Sequence, residues 1–401
     1  GTAKFGPGDT FFALSGSVPT MASDAAGNSV RFTYPAFDDP TNTPTTIDIL
    51  FTVTASAQPF ADGLFLTNQA RVEEGTTNAG ASIVDAIVQI QLNEPNVRVT
   101  KGVVTSSNTA DVYAPVTVGP VSFSAPGLPG YRGAGAITSN GLAATPINSN
   151  VSLLDAGDVV TFAIVLENTG SGPEGAFDVT FHDTLPAGFV VPANLAALNL
   201  SVTNGAGAAL PFTDLGGGPF AGGGLFGAGL RLNDPGAAQG ALTTYGATSG
   251  TNIAIVTYDL ALATAVGANQ TLTNTATLTN FAGVEGGPDF TTVDRLDTAA
   301  VATASPTITK TITATNQAHT AGNNVAIGER VSYQVTLRIP EGTTPSAVLT
   351  DVLDAGLALV SLDSLTPSSP AVTAASGTFG TVLTAATIGP EPVGSPTAIN
   401  Q

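Results

Sequence analysis

The side chains that most often perform chemistry in proteins are scarce in this sequence. Its 401 residues include no cysteine and only two histidines. The absence of cysteine excludes disulfide bonds and thiolate metal sites. His182 stands beside Asp183 in a run of alternating apolar and polar residues, which favours a solvated strand residue over a catalytic base. There is no Gly-x-Ser-x-Gly elbow and no phosphate-binding glycine loop followed by lysine, so we expect no enzyme.

The lysines are more informative, because there are three and two of them occupy similar segments. Lys101 lies in Val99–Val103 and Lys310 lies in Ile308–Ile312, whereas Lys4 has no such counterpart. A lysine amine becomes a nucleophile when an apolar site lowers its pKa and leaves it neutral. Otherwise, such a lysine lies at a strand edge with its head group in water. The elements that carry the lysines decide between these alternatives.

Those elements are predicted to be strands. Hydrophobic residues make up 43 % of the chain and charged residues 10 %, with 46 Gly and 27 Pro. Valine, isoleucine and threonine favour the pleated strand, and glycine and proline mark turns. Short alternating runs bounded by turn residues are typical of β-sandwiches. We therefore predict an all-β chain of tandem immunoglobulin-like β-sandwich repeats with long loop insertions.

The chain also repeats itself at a nearly constant period. The two lysine segments are 209 residues apart, and Leu66–Ala70 resembles Leu272–Ala276 at a separation of 206. Ile83–Asp85 likewise resembles Thr292–Asp294 at a separation of 209. A fixed order of landmarks at one period is the signature of a repeat array.

The repeats predict the domain boundaries. The strand-and-turn segment VTFHDTLPAGF, at 179–189, recurs as LTDVLDAGLALV at 349–360. We expect residues 1–97 to be the C-terminal half of one repeat and 98–306 to be a complete repeat with insertions. Residues 307–401 are then the N-terminal half of a further repeat, and the chain is expected to be a segment of a longer array.

These motifs resemble a known family. TITKTI, GERVSYQVTL, VTFHDTLPAGF and LTNTATLTN are similar to the bacterial cell-surface repeats called domain of unknown function eleven. They also resemble the isopeptide-forming fimbrial and adhesin repeats. The resemblance covers residues 98–306 and the partial copies on either side. It implies immunoglobulin-like sandwiches in tandem within a large exported bacterial surface protein.

The resemblance implies roles for four residues of the complete repeat. Lys101 would attack the side-chain amide of Asn274 on a late strand, and Asp183 would assist, with Glu167 as a substitute acid. A neutral amine and a nearby carboxylic acid meet the needs of such a reaction. In the alternative interpretation, Lys101 lies at a strand edge, Asn274 caps a turn and Asp183 holds the Leu-Pro-Ala-Gly loop.

The flanking half-repeats contain partial equivalents of the same set. Asn68 matches Asn274, Lys310 matches Lys101, and Asp351 matches Asp183. Asn68 has no matching lysine upstream and Lys310 has no LTN segment downstream. Neither half-repeat is therefore expected to form the bond within this chain.

The charge balance bears on ligands and partners. A net charge of −19 disfavours nucleic acid, which requires lysine and arginine. Calcium is the candidate cofactor, and its hard oxygen ligands would come from Asp38 and Asp39, and from Asp289, Asp294 and Asp297 near the repeat junction. The alternative is that these acidic turns are only solvated. No apolar run is long enough to form a transmembrane segment.

We therefore expect a structural role outside the cell, at the bacterial surface, as part of a stalk, fibre or lattice. Half-sandwiches expose open edges and apolar faces, so self-association by strand exchange between neighbouring copies is one expected form of assembly. The alternative function is an adhesin that binds its ligand through the insertions 118–150 and 202–240. The first contains Ser122–Gly141, read as a surface loop, and the second contains Gly216–Gly229, read as a long mobile or packed loop.

Overall fold

The computed structural model describes residues 20–33, 49, 51–56, 61–74, 82–128, 133–218, 223–344 and 348–369. Strands dominate these residues, because valine, isoleucine and threonine are abundant and helix periodicity is scarce. The all-β, sandwich-type fold class is confirmed.

The strands of the described residues are β1 (Thr20–Asp24), β2 (Ser29–Thr33), β3 (Phe65–Glu74), β4 (Ser82–Gln91), β5 (Val97–Ser106), β6 (Val112–Ala114), β7 (Ser122–Phe123), β8 (Gly133–Ala134), β9 (Asn150–Leu154), β10 (Val159–Asn168), β11 (Phe177–Thr184), β12 (Phe189–Val190), β13 (Ser201–Asn204), β14 (Phe212–Asp214), β15 (Leu230–Leu232), β16 (Ile253–Leu262), β17 (Thr271–Ala282), β18 (Arg295–Thr303), β19 (Thr307–Thr315) and β20 (Val331–Arg338). A short helix, α1 (Ser139–Ala144), precedes β9, and a 3-10 turn (Leu195–Leu198) follows β12.

Two large sheets form the sandwich. The five-stranded sheet has the order β12–β16–β10–β5, with β13 also paired to β16. The seven-stranded sheet has the order β14–β15–β11–β17–β18–β9–β6. Neighbouring strands are antiparallel except β18 and β9, which are parallel. Both sheets take all their strands from the segment between Val97 and Thr303.

The main core lies between the two sheets. The central strands β10 and β16 are buried along almost their whole length, so they are continuous apolar runs rather than alternating ones. Phe162, Ile164 and Leu166 of β10 contribute to this core, and Phe181 and Leu278 contribute from the seven-stranded sheet. Each such side chain stabilises the fold by about 1.5–3 kcal/mol on burial.

A second core lies on the other face of the five-stranded sheet. There, Ala163 and Val165 of β10 are covered by Ile137, Leu142 and Ile147 from the segment between β5 and β9. The prediction that the insertion is a surface loop is therefore wrong for its C-terminal part. The outward face of β10 is apolar and must be shielded from water, so the insertion folds over it.

Two hairpins, β3–β4 and β19–β20, are separate two-stranded sheets. Both expose large apolar side chains, which are Phe65, Val72, Ile83, Val84, Ile87, Val88 and Ile90 on the first, and Ile308, Tyr333 and Leu337 on the second.

The chain divides into two compact units, 1–343 and 344–401, and all the named elements belong to the first. Among the described residues, no helix has the length and apolar character needed to cross a bilayer.

Candidate functional site

Four buried polar side chains meet between the two sheets. Lys101 on β5 and Tyr258 on β16 come from the five-stranded sheet. Asp183 on β11 and Asn274 on β17 come from the seven-stranded sheet. Side chains alternate between the two faces of a strand, and valines two residues before and after Lys101 share its inward face. The strand pattern therefore places the lysine side chain in the core instead of in water, although β5 is an edge strand of its sheet.

The four side chains form one hydrogen-bonded cluster. The Lys101 Nζ atom lies 2.6 Å from Asp183 Oδ1 and 2.7 Å from the Tyr258 hydroxyl oxygen. The same hydroxyl group donates to Asp183 Oδ2 and accepts from Asn274 Nδ2 at 2.9 Å. Asn274 Oδ1 is buried and has no hydrogen-bond partner among the described residues. The amine and the amide nitrogen therefore share one phenol oxygen as a neighbour.

Burial controls the electrostatics of this cluster. Lys101, Tyr258 and Asn274 have no exposed surface, and Asp183 is 1 % exposed. Burial lowers the pKa of Lys101, and the carboxylate of Asp183 opposes this shift. Burial also raises the pKa of Tyr258 well above its usual value, and the charge of Asp183 adds to that shift. The amine is thus closer to its neutral, nucleophilic form than a solvated lysine, and the phenol keeps its proton.

Aromatic rings and a glycine-rich loop enclose the cluster. The Lys101 Nζ atom lies 5.1 Å from the centre of the Phe162 ring, which stacks on the ring of Tyr258. The described part of the loop 216–229 packs over the other side, with Phe226 edge-on to Tyr258 at 5.8 Å. The carbonyl of Leu225 in this loop accepts the Asp183 backbone N–H at 2.7 Å. This described part of the loop is therefore packed against the core and shields the cluster from water.

The structure brings together three of the four residues expected at this site. Lys101, Asp183 and Asn274 are in the cluster, but Glu167 is not, and its expected role as a substitute acid is wrong. Glu167 accepts a hydrogen bond from Arg98 Nε at 2.7 Å and lies opposite Arg98 in the β5–β10 register. Lys101 instead lies opposite Ile164, three residues away along β10. An odd separation along a strand puts Glu167 on the opposite face of the sheet.

Tyr258 is the member of the cluster that sequence reasoning missed. It lies in IAIVTYDLAL, where it resembles an ordinary core aromatic residue. One signal was available, because a tyrosine in the middle of a fully buried strand requires a hydrogen-bond partner for its hydroxyl group. The sequence gives no indication of which partner that is.

The aspartates considered for calcium do not form one group in the described part of the chain. Asp297 Oδ2 accepts the backbone N–H of Lys101 at 2.7 Å and so helps to fix β5 against β18. Asp289 Oδ1 accepts the backbone N–H of Thr291 at 2.7 Å, and Asp294 is exposed. Asp38 and Asp39 lie outside the described residues.

A different group of carboxylates does converge. Oxygen atoms of Asp178, Asp234 and Glu285 lie within 4.8 Å of one another. Two of them already bind backbone N–H groups, because Asp178 Oδ2 accepts from Gly286 at 2.8 Å and Asp234 Oδ1 accepts from Ala241 at 2.7 Å. Burial raises the pKa of Asp234. These contacts account for the group as a support for neighbouring loops.

The flanking equivalents lie on the two separate hairpins. Asn68 is exposed on β3, and Lys310 is on β19 with its Nζ atom 4.6 Å from the centre of the Tyr333 ring. Tyr333 pairs with the residue two positions after Lys310, just as Phe162 pairs with the residue two positions after Lys101. Asp351 lies in the second unit, outside any regular element. The β19–β20 hairpin thus repeats the geometry of β5–β10 around its lysine.

Comparison with known proteins gives only distant likenesses. No protein-family model and no curated protein matches the chain. One similar solved structure is the T6 backbone pilin of serotype M6 Streptococcus pyogenes, described as a modular three-domain structure decorated with variable loops and extensions. The TM-score is 0.25 and the sequence identity is 11 %, and the match covers 56 % of this chain and 38 % of the pilin. Another is a family 123 glycoside hydrolase from Clostridium perfringens, with a TM-score of 0.20 and 11 % identity over 38 % of this chain and 22 % of the hydrolase. The chain spans well under half of either protein, and at these scores neither assigns it a function.

Proposed function

We propose that the chain is a structural segment of an exported bacterial surface stalk, fibre or lattice, and that its sandwich locks itself with an amide bond between Lys101 and Asn274. One observation carries this proposal. The lysine amine, the asparagine amide and the carboxylate of Asp183 meet in a closed, water-shielded cluster between the sheets. A lysine with only a structural role at the surface would keep its amine in water and would not need a buried carboxylate and amide beside it.

The proposed reaction conserves all atoms. Lys101 transfers one proton to Asp183, and the neutral Nζ atom then attacks Cγ of Asn274, so that the new C–N bond forms. The bond between Cγ and Nδ2 breaks, and Nδ2 leaves as ammonia after gaining the one further proton that Nζ loses. The products are a secondary amide, ammonia and a protonated Asp183. Enclosure by Phe162 and Phe226 keeps competing water away from the reacting carbon.

The position of the bond suits a load-bearing role. β5 belongs to one sheet and β17 to the other, so the amide would add a covalent connection between two layers that are held together by side-chain packing and by hydrogen bonds such as that of Asp297 with the Lys101 N–H. Without cysteine the chain has no disulfide alternative. The apolar residues of the 118–150 insertion cover the sheet, and this supports a structural role for that segment in preference to the adhesin alternative.

The two separate hairpins support an extension of the proposal to assembly. β3–β4 corresponds in sequence to β17–β18, and β19–β20 corresponds to β5–β10. In the sandwich these two pairs pack against each other, whereas in the hairpins their equivalents expose apolar side chains. We propose that copies join head to tail, with the β19–β20 hairpin of one copy completing the β3–β4 hairpin of the next.

Intact-mass measurement under denaturing conditions tests the lock. The wild-type chain should weigh one ammonia less than its sequence mass, and Lys101→Ala and Asn274→Ala should each show the full mass. A full mass for the wild-type chain would overturn the lock. Asn68→Ala is the matched control, because it removes the equivalent asparagine outside the sandwich and should keep the deficit.

Sedimentation over a range of concentrations tests the assembly separately. The purified chain should associate at high concentration, and replacement by aspartate of Val88 and Ile90, which lie on one face of β4 and are both exposed, should abolish this association. A chain that stays monomeric at every concentration would refute the strand-exchange extension while leaving the lock intact.

A further inference from the structure

We infer that Tyr258 is a catalytic residue of this cross-linking reaction, and that it passes a proton from the Lys101 nitrogen to the departing nitrogen of Asn274. The inference rests on the proposed function and deepens it, because it assigns a proton path to a residue that the sequence did not point to.

The hydrogen-bonding capacity of the phenol fixes its role in the resting cluster. A tyrosine hydroxyl group donates one hydrogen bond and accepts up to two. The carboxylate of Asp183 can only accept, so the phenol proton points to Asp183 Oδ2. The two lone pairs of the hydroxyl oxygen then accept from Lys101 Nζ at 2.7 Å and from Asn274 Nδ2 at 2.9 Å. The phenol oxygen therefore touches both the attacking and the leaving nitrogen.

Among the described residues, no other group is as well placed to give a proton to the leaving nitrogen, Asn274 Nδ2. Asp183 contacts Lys101 and Tyr258, and within the described residues the side-chain partner of Asn274 Nδ2 is Tyr258. An amide nitrogen is a poor leaving group unless it is protonated as the C–N bond breaks. The proton for Nδ2 must therefore arrive through the phenol in this geometry.

The proton path balances as follows. Lys101 first gives a proton to Asp183 Oδ1, and the neutral amine attacks Cγ of Asn274 while the carbonyl electron pair moves onto Oδ1 of the asparagine. Protonated Asp183 holds the phenol proton only weakly, so the hydroxyl group turns toward Nδ2. Tyr258 then donates its proton to Nδ2 and takes the surplus proton of Nζ, which restores the phenol. The Cγ–Nδ2 bond breaks, the carbonyl group re-forms and ammonia departs.

The surroundings of Tyr258 suit such a relay. Its ring is held between Phe162 and Phe226, with centroid distances of 5.6 and 5.8 Å, so the hydroxyl group has a fixed position. Because burial raises the pKa of Tyr258, the phenol remains protonated until the proton is needed. A proton relay of this kind typically contributes about a hundredfold to ten-thousandfold to a rate.

The test follows the loss of ammonia with time by intact mass, starting from freshly synthesised full-length chain. Tyr258→Phe keeps the ring and removes only the hydroxyl group, and it should slow the reaction by about a hundredfold or more. Tyr245→Phe is the matched control, because Tyr245 is about half exposed and lies outside the cluster; it should react like wild type. Wild-type reaction with an unchanged rate in Tyr258→Phe would overturn the inference and leave the cross-link standing. A wild-type chain that never loses ammonia would overturn both.

A second variant separates chemistry from packing and remains informative if Tyr258→Phe fails to fold. Fluorotyrosine at position 258 keeps the shape and the hydrogen bonds but makes the phenol more acidic. If Tyr258 transfers a proton, the rate and its pH profile should shift with phenol acidity. A rate and a profile identical to wild type would mean that the residue only fills space, and would refute the relay.

Discussion

Removal of the cross-link should cost much more stability than the loss of one hydrogen bond, and Asn274→Ala measures the difference. The two residues that the proposed bond would join are 173 positions apart in sequence. Closing a loop of this length removes chain entropy from the unfolded state worth about 5 kcal/mol. For a domain of this size, 1 kcal/mol corresponds to about 2–4 °C in melting temperature, so Asn274→Ala should melt about 10–20 °C below wild type.

A comparison with Lys101→Ala isolates the free-energy cost of leaving a buried carboxylate without its cation. This variant also lacks the bond, but it leaves the carboxylate of Asp183 buried without its cation. Stranding one partner of a buried pair costs about 3–5 kcal/mol. Lys101→Ala should therefore be clearly less stable than Asn274→Ala, although both chains have the same cross-link status.

Thermal unfolding followed by circular dichroism, with the mass of each sample recorded, is the appropriate assay. If the cluster were only a hydrogen-bonded core, Asn274→Ala would lose about 1 kcal/mol and its melting temperature would fall by only a few degrees. A shift that small would contradict the reasoning from loop closure. Equal melting temperatures for the two variants would contradict the assignment of a buried charge to Asp183.

Three further predictions follow from the same geometry. In Asn274→Ala, the free energy of unfolding should rise with pH between the lowered pKa of folded Lys101 and 10.5, the ordinary pKa of lysine, because the folded state binds fewer protons than the unfolded state in that range. Urea titrations should show this slope, and the slope should disappear when Lys101→Met is added. Glu167→Gln should keep the full ammonia deficit by mass, because Glu167 pairs with Arg98 away from the cluster. Gly227→Ala should lower the melting temperature and slow the cross-link, because the added Cβ would lie 2.2 Å from the Gly218 backbone nitrogen, whereas Gly236→Ala meets nothing within 4 Å and should behave as wild type.

The repeat in the sequence located most of this site, because equivalent positions in a repeat perform equivalent tasks. The repeat marks Lys101 and Asn274 through their copies Lys310 and Asn68. Their chemical roles, and that of Asp183, come only from the resemblance to isopeptide-forming repeats. The sequence misassigned Glu167 because residue type alone suggested an acid there. Its exclusion requires the pairing of Lys101 with Ile164, which puts Glu167 on the opposite face of the sheet and which only the structure provides. Tyr258 was missed because its hydroxyl group is informative only once the neighbouring strands are known.

The register of the hairpins also limits what the repeat period can show. Arg71 on β3 pairs with Asp85, whereas the corresponding Thr277 on β17 pairs with Leu296. Asp85 thus lies within a strand, and its supposed counterpart Asp294 precedes β18. The two segments match in sequence but not in pairing, because the turn between the strands differs in length. Sequence spacing therefore located strands in the array, and only the structure could fix which residues face each other.

The absence of enzyme motifs is compatible with reactive chemistry in this chain, because the chemistry proposed here needs no substrate site. Nucleophile, electrophile and proton carriers all belong to one folded core, and they are brought together by the same apolar burial that stabilises the sandwich. The only group that must leave is ammonia, which is a small neutral molecule. Once the bond has formed, Lys101 is consumed and the site cannot turn over again. The proposed reaction would thus be a final step of folding, and it would depend on packing around four side chains instead of on a cleft.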